Sequence, residues 1–156
     1  MPTWDEIIKE SDSYSPLLLL DKYVKDLATH TGRTTICYFS AFTVLKPRVP
    51  TVFHSIVASD MQGFMTCTKG VEKKKLDLVI HTPGGDMETT KQIINYLRTV
   101  YHEIRVIVPQ KAMSGGTMIA CAADEILMGP YSSLGPTDPQ VLLGQSFVPI
   151  GAIIKE

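Results

Sequence analysis

Two short segments of this 156-residue chain hold the residue types from which an acyl-transfer site can be built. Thr82-Pro83-Gly84-Gly85 interrupts an apolar run, and Ser114-Gly115-Gly116 stands where a later helix begins. Backbone N–H groups at a helix start have no partner inside the helix, and the helix dipole favours negative charge there. Glycine lets a substrate approach that backbone closely. Two such groups from separate loops can form an oxyanion hole, and a serine at the tip of the second can act as nucleophile. Ala112-Met113-Ser114-Gly115-Gly116 follows the G-x-S-x-G elbow pattern with alanine in the first place. In that elbow the residue after the serine gives its N–H to the oxyanion, and here that residue is Gly115. Taken singly, a serine at a helix start reads as a cap and a Gly-Gly pair after a strand as a turn. It is the pair of segments that points to catalysis.

The elements around these segments follow from periodicity. Leu76 to His81 and Ile104 to Val108 are short apolar runs, as in buried strands, and Glu125 to Met128 is a third strand. A helix over about Asp86 to His102 carries Ile93, Leu97, Val100 and Tyr101 on one side, and a second runs from Ser114 to Ala123. Strand, helix, strand, helix, strand predicts parallel strands with right-handed crossovers. In such a sheet ligands sit beyond the carboxyl ends of the strands, where both glycine segments lie. Upstream, Thr3 with Glu6 forms a capping-box pattern, and Ser15-Pro16 opens a second helix. That helix carries Leu17, Leu20, Val24 and Leu27 on one face and stops near Gly32. Thr34 to Phe42 is β-branched and aromatic and reads as a strand. Residues 43–58 show no clear period, and Ser59 or Asp60 can cap a short helix with Met61, Phe64 and Met65. Ile150 to Glu156 reads as a helix just starting without a stop signal, which predicts a longer parent chain or a core completed by a partner subunit.

Composition narrows the classes. Hydrophobic residues make up 44% and charged residues 20%, and the formal net charge is -1. This excludes a disordered chain, and nothing in it suggests a nucleic-acid binder. The longest aliphatic run, Leu17 to Leu20, is far below the about 18–20 residues of a membrane helix. The first residues lack the order of a secretory signal. Cys37, Cys67 and Cys121 have no paired spacing, which predicts neither disulfide framework nor zinc site and fits a reducing, cytoplasmic compartment. Cys121 reads as core, Asp86 as a helix cap, Asp138 as a turn or loop-orienting residue, and Lys73-Lys74-Lys75 as a solvated loop. No nucleotide or metal motif is visible, and no cofactor is expected.

The residues also carry a family likeness. His81-Thr82-Pro83-Gly84-Gly85-Asp86 resembles the N-S-P-G-G segment of ClpP-type serine peptidases. Lys111 to Ala120 resembles their active-serine segment, closest to the signal peptide peptidase A branch. Ser133-Leu134-Gly135-Pro136-Thr137-Asp138-Pro139-Gln140, with Pro2 to Ile7 and Asp60 to Phe64, is similar to the serine dehydrogenase proteinase family, a ClpP/crotonase-fold group. The likeness covers roughly residues 3–156 of a family whose members are usually longer. It implies an α/β fold, a ClpP/crotonase-like ββα superhelix with a mainly parallel sheet. It implies a single domain over residues 1–156, with N-terminal helices over about 3–31 and the catalytic core over about 33–156. It further implies peptide hydrolysis through an acyl-enzyme on Ser114, with Gly85 and Gly115 as oxyanion donors and Gly84 and Gly116 beside the substrate.

The general base departs from ClpP. Alignment through Pro130 and Leu134 puts Gly135 where ClpP has its histidine, and His30, His54, His81 and His102 all precede Ser114. His81 reads as a structural hydrogen-bonder. The signal peptide peptidase A branch uses lysine, in some soluble relatives about forty residues after the serine. Lys155 sits at that distance (155 − 114 = 41), beside Ile153 and Ile154, and is read as base or as a solvated terminal lysine; Lys111 is the weaker candidate. A Ser114–Lys155 peptidase acting on unfolded or membrane-derived peptides is the leading expectation, with homo-oligomerisation implied by the fold. The alternatives are a catalytically silent assembly or binding subunit, or a crotonase-type acyl-CoA enzyme, against which the serine elbow argues.

Overall fold

A computed structural model describes residues 3–43, 54–136, 140–143 and 146–149. Helix α1 (Trp4–Ser13) begins at the expected box: Thr3 N–H donates to Glu6 Oε2 at 2.7 Å, and Glu6 N–H returns to Thr3 Oγ1. Helix α2 (Pro16–Thr31) has proline in its first turn and ends on Gly32 in the left-handed region, φ 68°. It lies against β1 (Thr34–Phe39), which stops three residues earlier than the aromatic run suggests. Ser40 turns its N–H onto His81 O instead, at 2.8 Å.

Helix α3 (Asp60–Thr68) leads to β2 (Lys75–His81), α4 (Met87–Val100) and β3 (Glu103–Val108). After these come β4 (Lys111–Ala112), α5 (Gly115–Cys121), β5 (Glu125–Met128) and β6 (Ser133–Leu134). An antiparallel ladder, β7 (Gln140–Leu143) with β8 (Ser146–Pro149), closes the described chain. The main sheet has the order β1-β2-β3-β5 with every pair parallel, as the alternation of elements predicts for β2, β3 and β5. β2 is buried on both faces from Leu76 to Ile80, whereas β3 buries only Ile104, Val106 and Val108. Helices α4 and α5 pack together and bring Ile93, Leu97, Ile119 and Ala120 into one core with Leu78, Ile80 and Tyr101. Each such aliphatic side chain contributes about 1.5–3 kcal/mol by leaving water.

One apolar face stays open, and one expectation about burial is corrected. The α2 face that carries Leu17, Leu20, Val24 and Leu27 is not sealed: Leu17 is 76% exposed and Leu20 is exposed too, while Val24 and Leu27 are half-buried. Cys121 is exposed at the last turn of α5 rather than in the core, since the α5 face that packs inward is Gly115, Gly116, Ile119 and Ala120.

One charged residue sits inside the buried β2 run. Asp77 is fully buried and takes a bidentate pair from Arg105, Nε at 2.9 Å and Nη2 at 2.8 Å. Arg33, itself buried, brings Nε to 2.6 Å from Asp77 Oδ1 without the angle of a hydrogen bond. Its other nitrogens reach Glu103 Oε1 at 2.5 Å and Leu76 O at 3.1 Å. This network ties β1, β2 and β3 together near the beginnings of the strands.

Candidate active site

The opposite ends of the strands carry the two glycine segments, and the fold brings them into contact. A Cβ built on Gly84 would lie 2.7 Å from Ser114 Cβ, 2.7 Å from Met113 O and 2.8 Å from Gly115 N. Gly84 has φ +94°, which L side chains rarely adopt, so both space and backbone require glycine here. The approach is set by main-chain bonds. Thr82 N–H donates to Lys111 O at 3.0 Å, and Met113 N–H donates to Thr82 O at 2.9 Å. These form a parallel bridge that continues β2 beside β4.

On its other edge the glycine loop pairs with Ile56. Ile56 N–H donates to Gly84 O at 2.8 Å, and Asp86 N–H donates to Ile56 O at 2.9 Å. In such a parallel bridge the N–H of the central residue, Gly85, points away from Ile56. A Cβ on Gly85 would stand 2.3 Å from Ile56 N and O, so glycine is needed for this approach as well. Ile56 comes from the stretch in which the sequence shows no period. Its role depends on one isolated bridge, which leaves no local signal.

The segment bearing Ile56 is itself held. Asp60 Oδ2 accepts Val57 N–H at 2.9 Å and Tyr38 O–H at 2.8 Å. Burial, and then the bond to Asp60, push the Tyr38 phenol far above its usual pKa, so it stays a donor. Asp86 caps α4 as expected, with Oδ1 accepting Thr89 N–H at 2.7 Å and Thr89 Oγ1–H at 2.5 Å. The Thr89 bonds hold its carboxyl below the ordinary aspartate range.

Ser114 is the sharpest local feature. It has φ 49° and ψ -114°, and it is the only non-glycine residue with positive φ among the described residues. It precedes α5 without making a side-chain cap bond, so the plain helix-cap reading does not describe it. Non-glycine backbone of this kind costs of order 1–3 kcal/mol and concentrates at functional sites. The two glycines that follow let α5 start close to its neighbours. A Cβ on Gly115 would lie 2.6 Å from Thr90 Oγ1, and one on Gly116 would lie 2.5 Å from Thr82 Cγ2. Thr117 fixes the turn, donating Oγ1–H to Ala112 O at 2.7 Å and accepting Gly135 N–H at 2.7 Å. Gly115 and Gly85 N–H have no hydrogen-bond partner among the described residues.

Gly84, Gly85, Ser114, Gly115 and Gly116 thus converge. Lys155 and Asp138 lie outside the described residues. Lys111 is exposed on β4. His81 has its Nδ1 buried without a hydrogen-bond partner among the described residues, and the ring stacks on Phe42 at 4.9 Å. Burial, and then the nearby Lys111 charge, lower its pKa, so the neutral ring is favoured. Among the described residues no group of three or more His, Cys, Asp or Glu side chains could hold a metal ion. No helix among them is long and apolar enough to cross a membrane.

A parallel sheet whose strand ends carry a Gly-Gly loop against a strained serine turn defines a ClpP-like fold. The chain belongs to the ClpP-like SDH-type serine proteinase family, whose profile matches residues 49–155. It is 45% identical over 105 residues to the uncharacterized protein MJ0137 of Methanocaldococcus jannaschii, covering 67% of this chain and 35% of that one. It is 47% identical over 70 residues to MJ1495, an uncharacterized protein of the same organism, covering 45% of this chain and 24% of that one. The chain therefore spans about a third or less of the length of these curated relatives. Among solved structures, it is similar in fold to a serine-to-alanine mutant of the 1510-N membrane-bound stomatin-specific protease. That match has a TM-score of 0.55 at 20% identity, covering 65% of this chain and 53% of the other. A lysine-to-alanine mutant of the same protease in complex with a substrate peptide gives 0.51 at 18% identity, covering 74% and 49%.

Proposed function

We propose that this chain carries the catalytic centre of a serine peptidase with Ser114 as nucleophile and Lys155 as general base. The observation that carries the reading is Ser114 itself, held at φ 49° with an uncapped side chain against Gly84. In the proposed reaction Ser114 Oγ attacks the scissile carbonyl carbon and its proton passes to the neutral Lys155 amine. The carbonyl oxygen takes the negative charge and is met by the N–H groups of Gly85 and Gly115. Collapse breaks the C–N bond, the leaving amine takes the proton back, and water then hydrolyses the acyl-enzyme. Gly84 and Gly116 keep the floor of the site free of side chains. A lysine base must be brought down from its ordinary pKa of about 10.4, which desolvation or a nearby positive charge does in general. Spacing supports this base. The serine and lysine altered in the stomatin-specific protease are separated in their own chain by 41 positions, as are Ser114 and Lys155 (155 − 114 = 41).

Fluorophosphonate labelling with intact-mass detection tests the reading. One adduct per chain is expected for the wild type and none for Ser114→Ala. Lys155→Ala should slow labelling by about a hundredfold or more. A folded wild-type chain that takes no label would leave the assembly-subunit reading in its place; a Lys155→Ala chain labelling at full rate would move the base elsewhere.

The substrate is proposed to be a peptide or protein, and the working form a homo-oligomer in the cytoplasm. Exposed Leu17, Leu18 and Leu20 on α2, with exposed Ile126, Leu127 and Met128 on β5, support self-association. Sedimentation velocity should show a species larger than the monomer that Leu18→Asp weakens; a wild-type monomer at micromolar concentration would end that expectation.

A further inference from the structure

Thr82 touches both halves of the site with three different parts. Its main chain bonds Lys111 O and Met113 N, which carry the serine turn. Its methyl stands where a Gly116 side chain would begin, 2.5 Å from the position of that Cβ. Its hydroxyl oxygen accepts Gly84 N–H at 3.2 Å and Ser40 Oγ–H at 3.1 Å. The residue is fully buried and β-branched, so its χ1 is restricted.

Gly84 and Gly85 carry adjacent N–H groups with different fates. Gly84 N–H is occupied by Thr82 Oγ1, and Gly85 N–H is turned away from Ile56 without a partner among the described residues. We propose that Thr82 is a positioning residue: its hydroxyl holds Gly84 N–H and so fixes the Pro83–Gly84 peptide plane, Ile56 N–H on Gly84 O fixes the next one, and the two together present Gly85 N–H to the acyl oxygen. The inference rests on the peptidase reading of Ser114 and goes beyond it by assigning what sets the donor. The hydroxyl does this work and the methyl only fills space, so the two can be separated. Valine keeps the shape and loses the acceptor, leaving a buried Gly84 N–H unpaired. Serine keeps the acceptor and loses the methyl.

The test uses the full-length protein with Thr82→Val, Thr82→Ser and Ser40→Ala. Two readouts are taken on chains shown to be folded: hydrogen exchange of the Gly84 amide by NMR, and the saturation kinetics of fluorophosphonate acylation of Ser114. Thr82→Val should speed Gly84 exchange and lower the maximal acylation rate about tenfold or more, with half-saturation little changed, because a misplaced oxyanion donor acts in the transition state. Thr82→Ser should restore both readouts. Ser40→Ala should leave Gly84 protected, since the Thr82 acceptor remains; should the valine variant fail to fold, faster Gly84 exchange in Thr82→Ser, or in Ser40→Ala, overturns Thr82 as the group that holds it. The proposal is overturned if Thr82→Val leaves Gly84 exchange unchanged, or if exchange rises while acylation does not slow. It is equally overturned if serine and valine slow acylation alike, which would make the methyl the cause. A wild-type chain that never labels sinks the peptidase reading and the catalytic part of this one together. The amide readout alone then decides whether Thr82 holds Gly84.

Discussion

Gly84→Ala is expected to abolish detectable acylation of Ser114 and to lower stability by about 2–4 kcal/mol. The new methyl would meet Ser114 Cβ and Met113 O at 2.7 Å and Gly115 N at 2.8 Å. Two of these are backbone atoms, which cannot swing aside, so one loop must retreat from the other. Removing a single oxyanion donor costs about 10²–10³ in rate, and here both proposed donors sit on the loops being pushed apart. Gly70→Ala separates the causes. Gly70 also has a left-handed φ, +74°, but nothing lies within 4 Å of its Cβ position. It should lose only about 1–2 kcal/mol and keep the full labelling rate. Urea unfolding and fluorophosphonate kinetics on the two variants check this; a Gly84→Ala chain that labels normally would show that the loops do not need their contact.

The second large effect is one of stability without chemistry. Asp77→Ala should destabilise the chain by about 3–5 kcal/mol, because it leaves Arg105 and the buried Arg33 facing each other without their shared carboxylate. In a chain of this size that is roughly 6–20 °C in Tm. Asp77 lies five residues before Thr82 along β2, about 16 Å from the site, so the fraction that stays folded should label at the wild-type rate. Loss below about 1 kcal/mol in urea unfolding would mean that the two arginines find solvent on their own and the pairing is incidental.

How far the sequence reaches can be seen in single residues. Thr3, Pro16 and Gly32 set their helix ends through local hydrogen bonding and backbone freedom, and the structure has each where local rules put it. The parallel pairing of β2, β3 and β5 follows from apolar runs separated by helical lengths. Ser114-Gly115-Gly116 is legible because a strained turn needs small residues in fixed order. Asp77 is different: inside Leu76 to Ile80 it breaks the apolar pattern, and its partners Arg33 and Arg105 are remote in the chain and carry no mark of the pairing. Ile56, Ser40 and Thr82 escape for the same reason, since each acts by where the fold delivers it. Leu17 and Leu20 show the converse limit. Helical periodicity says that a face is apolar, and it does not say that this chain covers it.

The glycine loop is bonded along both edges, to Ile56 on one side and to the Lys111–Met113 segment on the other. A loop stitched in this way behaves as an inner strand of a small ladder, although it contains two glycines. The entropy of fixing its peptide planes is therefore spent while the domain folds and need not be spent again when a ligand binds. A carbonyl oxygen entering this cleft would meet dipoles that need little reorganisation. The same stitching makes the loop open only with the larger unit around it.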